Sequence, residues 1–213
     1  MKLHGLYVIT DVTLCAGRTH ADIARAALDG GARIVQMRDK TASDREFYAQ
    51  ALALRKMTFD AGALFFVNDR VDVAAAVRAD GVNVGQTDLP VAAVRAVVGP
   101  RMLVGVSAGS IDEARQAEME GASYVGFGPV FDTATKSDAG PAIGLDALRQ
   151  VCRLLDAPVV AIGGIGPGNI GAVAKCGAAC AAVVSAVVCA DDMARAAAEL
   201  VTEFDGGGHN DPA

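Results

Sequence analysis

Residues 34–67, IVQMRDKTASDREFYAQALALRKMTFDAGALFFV, hold one full unit of the pattern on which the chain is built. Ile34–Met37 is a short apolar run and reads as a strand, closed by the polar loop Arg38-Asp39-Lys40. Ser43 with Glu46 three residues on is a capping box, each side chain satisfying a backbone N–H that a helix start leaves unpaired. The helix it opens runs to about Ala61, and Leu64–Val67 is the next strand, ending in Asn68-Asp69.

The same unit recurs on both sides. Leu6–Thr10 is a strand, and Thr19 or His20 opens a helix that stops at Gly30-Gly31. A helix over 71–78 leads to a strand at Val82–Val84, and Pro90 starts the helix that ends at Gly99-Pro100. Leu103–Val106 is a strand, and Ser110 with Glu113 caps the helix after it. Tyr124–Phe127, Val159–Ile162 and Ala182–Val184 are the last three strands. Helices follow them over 145–155, from about Asn169 to Cys176, and over 191–204. Strict alternation implies a parallel sheet with right-handed crossovers. Eight units of this size predict an α/β fold, a (β/α)8 TIM barrel, as one domain over residues 1–205. A doubly wound open sheet is the weaker alternative, because no G-x-G-x-x-G follows the first strand. The Gly-rich polar tail, 206–213, is expected to be disordered.

Composition agrees. The chain of 213 residues is 52% hydrophobic with no Trp and 5% aromatics, so its core must be aliphatic, as in strands buried on both faces. A net charge of −6 leaves no basic footprint for nucleic acid, although a few cations in one cleft can still hold an anion. Cys15, Cys152, Cys176, Cys180 and Cys189 show no two-residue spacing of a zinc or redox motif and read as apolar filler in a reduced compartment. No signal-peptide h-region opens the chain, and no apolar stretch reads as a membrane span. The expectation is a cytoplasmic protein without nucleic acid or membrane partners, and a homo-oligomer stays open.

Sites in such barrels lie at the C-terminal ends of the strands. Gln36, Arg38 and Lys40 follow the second strand, Asn68 and Asp69 the third, Gln86 and Asp88 the fourth, and Ser107 the fifth. Thr133, Thr135 and Lys136 follow the sixth, in a long polar segment (128–144) that breaks an otherwise tight alternation. A structureless run of that length is usually functional. Gly163-Gly164 follow the seventh strand and Ser185 the eighth. Each residue alone has an ordinary explanation: a loop Lys or Arg is usually just solvated, and Asp69 could cap the helix over 71–78. Their joint recurrence around one rim points to a site. Gly163, Gly164, Val184 and Ser185 suit a phosphate cup, where glycines let backbone N–H groups approach an anion. Arg38, Lys40 and Lys136 suit a second, more highly charged group. Asp69 and Asp88 suit Mg2+, which takes one or two carboxylates plus phosphate oxygens and water. The histidines, His4, His20 and His209, stand away from the strand ends, so no imidazole base or nucleophile triad can be assembled. Catalysis by charge placed against a departing diphosphate fits what remains.

Gln36-Met37-Arg38-Asp39-Lys40, Asn68-Asp69-Arg70, Gly85-Gln86-Thr87-Asp88, Gly105-Val106-Ser107, Gly128-Pro129 through Thr135-Lys136, and Ile162-Gly163-Gly164 together resemble the thiamine phosphate synthase family over roughly residues 5–190. That family is a (β/α)8 barrel that joins a hydroxymethylpyrimidine diphosphate to a thiazole monophosphate, giving thiamine phosphate and diphosphate. The resemblance implies that Gln36, Met37, Arg38, Asp39, Lys40, Asn68, Ser107 and Lys136 hold the pyrimidine diphosphate. Of these, Arg38, Lys40, Ser107 and Lys136 would be catalytic. It implies Asp69 and Asp88 as Mg2+ ligands, and Thr133, Ala134, Thr135, Gly164, Val184 and Ser185 around the thiazole phosphate. Met37, Asn83 and Asp132 depart from the family's usual Leu, His and Pro, and Gly109 stands where a His is frequent. A related tautomerase is thought to use that His, so Gly109 argues against an isomerase. A non-catalytic ligand-binding barrel should have lost Asp69, Asp88 or Lys136, and all three are present.

Overall fold

The computed structural model describes residues 3–15, 17–135 and 140–207. Its elements are β1 Gly5–Thr10, α1 His20–Asp29, β2 Ile34–Met37, α2 Asp44–Asp60, β3 Leu64–Asn68, α3 Val71–Ala76, β4 Gly81–Val84, α4 Val91–Val98, β5 Leu103–Ala108, α5 Ile111–Met119, β6 Tyr124–Phe127, α6 Gly144–Leu154, β7 Val159–Ile162, α7 Ile170–Lys175, β8 Cys180–Val183, α8 Ser185–Val188 and α9 Met193–Gly207. The strands pair in parallel in chain order, and β1 closes on β8 with Tyr7 opposite Ala182. The expected (β/α)8 barrel is the observed fold.

Local chemistry sets the helix starts. Thr19 and Ser43 each form a full capping box, with Asp22 and Glu46. Ser110 forms half of one: its hydroxyl accepts from Glu113 N, but Glu113 Oε2 takes Gly109 N at 2.7 Å instead. Three readings change. Asp69 does not cap the third helix; α3 has Arg70 at its N-cap with no side-chain cap bond, and Asp69 sits in the left-handed region at φ 59°. The region after β8 holds two helices rather than one, because Val187 and Val188 fold back into the core and wind α8 first. The last helix also runs to Gly207, past the expected start of the tail. Gly207 packs so closely on α7 that a Cβ there would lie 2.5 Å from Gly171 O. Residues 208–213, His209 included, lie outside the described residues.

Two apolar layers divide the strands by alternation. Tyr7, Ile9, Ile34, Leu64, Phe66, Tyr124, Val160, Cys180 and Ala182 fill the barrel interior. Val8, Val35, Met37, Phe65, Val67, Val82, Val104, Val125, Phe127 and Ala161 face the helices. The interior holds three large rings because small residues stand opposite them. A Cβ on Gly105 would lie 2.0 Å from the Tyr124 ring, and one on Gly81 2.1 Å from Phe66. Phe66 and Tyr124 meet edge to face with centroids 5.6 Å apart. Packed this way the rings fill the lower barrel, and a cavity opens toward the C-terminal ends of the strands. No helix among the described residues is long and apolar enough to cross a membrane. All five cysteines are free thiols, and burial pushes Cys152 and Cys180 up to about 12.

Candidate active site

A cavity of about 520 Å³ opens at the C-terminal rim. The period of two that fills the core also decides which rim residues reach it. On β2, Ile34 and Gln36 point in and Val35 and Met37 point out, so the next inward positions are Arg38 and Lys40. Asn68 on β3, Asn83 on β4 and Ser107 on β5 are inward by the same count.

The structure brings Gln36, Arg38, Lys40, Asn68, Asp69, Asp88, Ser107, Thr133, Thr135, Gly164, Val184 and Ser185 to this one cavity. It does not bring Met37, Asp39 or Ala134 to the cavity wall. Met37 is fully buried among the residues that face the helices, so only its backbone is available to a ligand. Asp39 turns its carboxylate outward, away from the opening, and Ala134 is exposed in the loop. Lys136 lies outside the described residues.

Each cation on the wall stands against a carboxylate. Arg38 Nη1 donates to Asp11 Oδ2 at 2.6 Å, and Asp11 is nearly buried while also accepting from Thr13 N and Oγ1. Lys40 Nζ pairs with Asp69 Oδ2. Burial pushes the Asp69 carboxyl above its usual range; the Lys40 bond counters this, and the charge of Asp88 adds to the rise. Asp88 Oδ2 accepts Gly85 N at 2.7 Å, which aims it at the same space. Two carboxylates close enough to feel each other, with oxygen donors and no sulfur or imidazole on the wall, have the chemistry a hard divalent cation takes. Asp69 is held in its left-handed backbone by Asp69 N bonding Asn83 O at 2.9 Å. A non-glycine residue kept there costs about 1–3 kcal/mol and persists only where its surroundings enforce it.

A line of polar groups crosses the floor. Gln36 Nε2 donates to Tyr7 Oη at 2.7 Å, Tyr7 and Tyr124 hydroxyls lie 3.3 Å apart, Tyr124 Oη donates to Asn83 Oδ1 at 3.1 Å, and Asn83 Nδ2 donates to Ser107 Oγ at 2.9 Å. Burial raises both phenols, so they stay neutral and can relay these bonds. The line fixes Gln36 and Ser107 on opposite sides of the opening.

The far wall is built from two loops stitched together. Val130 N bonds Ile162 O at 2.8 Å and Phe131 N bonds Gly163 O at 3.0 Å, while Ile143 N and Gly144 N return to Pro129 O and Val130 O. Gly163 and Gly164 take φ of 99° and 63°, and Cβ atoms there would lie 2.5 Å from Pro129 Cα and from Asp132 O. These glycines therefore serve the contact between the loops as well as any anion. Ser185 opens α8 beside them.

Sequence reasoning missed Asp11, Tyr7 and Tyr124. Asp11 directly follows β1, so the strand-end rule reaches it. The tyrosines read as strand apolar residues, and nothing local marks their hydroxyls as facing each other across 117 positions.

A family model described as thiamine monophosphate synthase matches residues 6–187. A thiamine-phosphate synthase of Chloroflexus aurantiacus is 52% identical over 195 residues, 92% of this chain and 90% of that one. One from Methanoculleus marisnigri is 49% identical over 197 residues, 92% of this chain and 93% of that one. The solved structure of a thiamine phosphate pyrophosphorylase from Pyrococcus furiosus superposes with a TM-score of 0.89 at 44% identity, covering 96% of each chain. The match runs from the first strand into α8 and takes in every strand whose tip lines the cavity, so the chain belongs to the thiamine monophosphate synthase family.

Proposed function

We infer that the chain is a transferase that joins hydroxymethylpyrimidine diphosphate to hydroxyethylthiazole phosphate, giving thiamine phosphate and diphosphate. The carrying observation is the cavity wall itself, where Arg38 and Lys40 stand preset beside the carboxylates of Asp11 and Asp69. Gln36, Arg38, Lys40, Asn68, Ser107 and Lys136 hold the pyrimidine diphosphate, with Met37 and Asp39 contributing backbone only. Thr133, Thr135, Gly164, Val184 and Ser185 hold the thiazole phosphate, with Ala134 contributing backbone only. Asp69 and Asp88 hold Mg2+, which when bound neutralises diphosphate charge as a Lewis acid.

The reaction breaks the bond between the pyrimidine methylene carbon and a diphosphate oxygen. It forms a carbon–nitrogen bond with the lone pair of the thiazole nitrogen. No proton is lost from that nitrogen, so no general base is required, and the described cavity wall carries no histidine. Negative charge grows on the leaving oxygen, where Arg38, Lys40 and Lys136 meet it. One such preset donor is worth about 10²–10³ in rate. Ser107 and Gln36 orient the pyrimidine across the polar floor. Gly109 offers no side chain for the imidazole chemistry of an isomerase. With its family, and with no membrane-spanning helix among the described residues, the chain is proposed to work in the cytoplasm on small phosphorylated molecules.

A coupling assay tests this. Purified chain with both substrates and Mg2+ is expected to give thiamine phosphate and diphosphate in equal amounts, with none when EDTA is in excess. Conversion of the thiazole substrate alone to an isomer, without coupling, overturns the reading.

A further inference from the structure

We propose that His20 is a positioning residue for the diphosphate half of the site, acting through Asp39 on the turn that presents Arg38 and Lys40; this rests on the functional reading above. His20 is the first residue of α1, a place that is normally solvated, yet it is only 3% exposed. Both ring nitrogens are engaged. Nδ1 lies 2.6 Å from Thr10 Oγ1 at the end of β1, and Nε2 lies 3.2 Å from Asp39 Oδ2. A carboxylate only accepts, so Nε2 carries a proton toward Asp39, and Nδ1 can take the Thr10 hydroxyl hydrogen.

Asp39 in turn organises the turn. Its Oδ1 accepts from Thr41 N and Thr41 Oγ1 at 2.8 Å and from Ala42 N at 3.0 Å. Its side chain is 5% exposed and faces α1, while its two chain neighbours face the cavity. Arg38 and Lys40 thus sit at the front of a short segment whose rear anchor is the Asp39–His20 pair. The front contacts, to Asp11 and Asp69, are made from other elements and do not fix the segment from behind. Losing the rear anchor lets both cations move together, and among the described residues no hydrogen bond or ion pair ties this segment to the loops after β6, β7 and β8 that build the thiazole side.

The test is steady-state kinetics on His20→Leu, His20→Gln and Asp39→Asn. His20→Leu is expected to raise KM for the pyrimidine diphosphate about tenfold while KM for the thiazole phosphate stays within about twofold. His20→Gln keeps an N–H for Asp39 and is expected to recover most of that loss. Combined with Asp39→Asn, His20→Leu should add little. Equal changes in both KM values, no change in either, no recovery with Gln, or simple additivity overturns the proposal. Should His20→Leu fail to fold, His20→Asn, which keeps only the Thr10 contact, replaces it under the same criteria. If the wild-type chain makes no product, the functional reading fails by itself, and calorimetric titration with inorganic diphosphate decides the inference. About tenfold weaker binding by His20→Leu supports it; equal binding, or none by the wild type, overturns it.

Discussion

Arg38 and Asp11 separate binding from stability at a single contact. Asp11 is 5% exposed at its side chain and Arg38 25%, so the pair is mostly out of water. Arg38→Ala is expected to cut turnover about a hundredfold, since in the proposed reaction it removes a cation from the leaving group. It should also cost about 1–3 kcal/mol of stability, because a nearly buried carboxylate loses its partner. The double variant Arg38→Ala with Asp11→Asn should recover much of the stability and none of the turnover, as read by thermal melts beside rate assays. Asp39 gives a second residue-level test. Burial pushes its carboxyl up, but bonds from Thr41 N and Oγ1, Ala42 N and His20 outweigh this and hold it at about 2. A folded value below the unfolded one stabilises at pH above the ordinary carboxylate value, and that gain is lost as pH falls toward 2. Asp39→Asn should therefore lower the urea midpoint at neutral pH, and the gap to wild type should close on the way down to about pH 2. A gap that is constant with pH would assign the loss to shape rather than charge.

At the scale of elements, the loops after β6 and β7 behave as one piece. In sequence Gly164 suits a phosphate cup, yet what a side chain would meet first is the neighbouring loop: Asp132 O at 2.5 Å and Phe131 Cβ at 2.7 Å, with φ at 63°. Gly164→Ala is thus expected to push the 130–135 segment outward. It should raise KM for the thiazole phosphate and lower the melting temperature together, with about 1–3 kcal/mol lost. An affinity loss with an unchanged melt would restore the simple cup. This is also where sequence reading thins out. Strand positions, capping boxes and the order of βα units follow from local pattern, and they were legible. The contact between two loops some thirty residues apart is not, because glycine reports only that something comes close. The same limit hid the floor: Tyr7 and Tyr124 look like core residues until barrel closure puts their hydroxyls between Gln36 and Asn83. His20 is legible as a helix start but its burial is not, since a helix-start histidine is usually solvated and only α1 docking over Asp39 buries it.

For the whole molecule, the division between solid lower barrel and open rim separates folding from chemistry. The interior rings of Tyr7, Phe66 and Tyr124 pack together at the floor of the cavity, and the helices cover an apolar outer layer. Asp69 and Asp88 are already supported from within the protein, by Lys40 and by Gly85 N. Under the proposed reading a divalent cation would therefore serve the chemistry and not the fold. Stripping divalent ions with EDTA is expected to abolish coupling while the melting temperature stays within about 2 °C, since only ligand binding linked to the native state shifts a melt, and only with ligand well above its Kd. Returning Mg2+ should restore the rate in full. Asp69→Asn and Asp88→Asn should keep the melt and lose the response to Mg2+. For Asp69 there is a further mark: its removal also frees Lys40, so Asp69→Asn should alter KM for the diphosphate substrate even where Asp88→Asn does not. Rates unmoved by EDTA would take the cation out of the mechanism and leave Arg38, Lys40 and Lys136 to carry the departing charge alone.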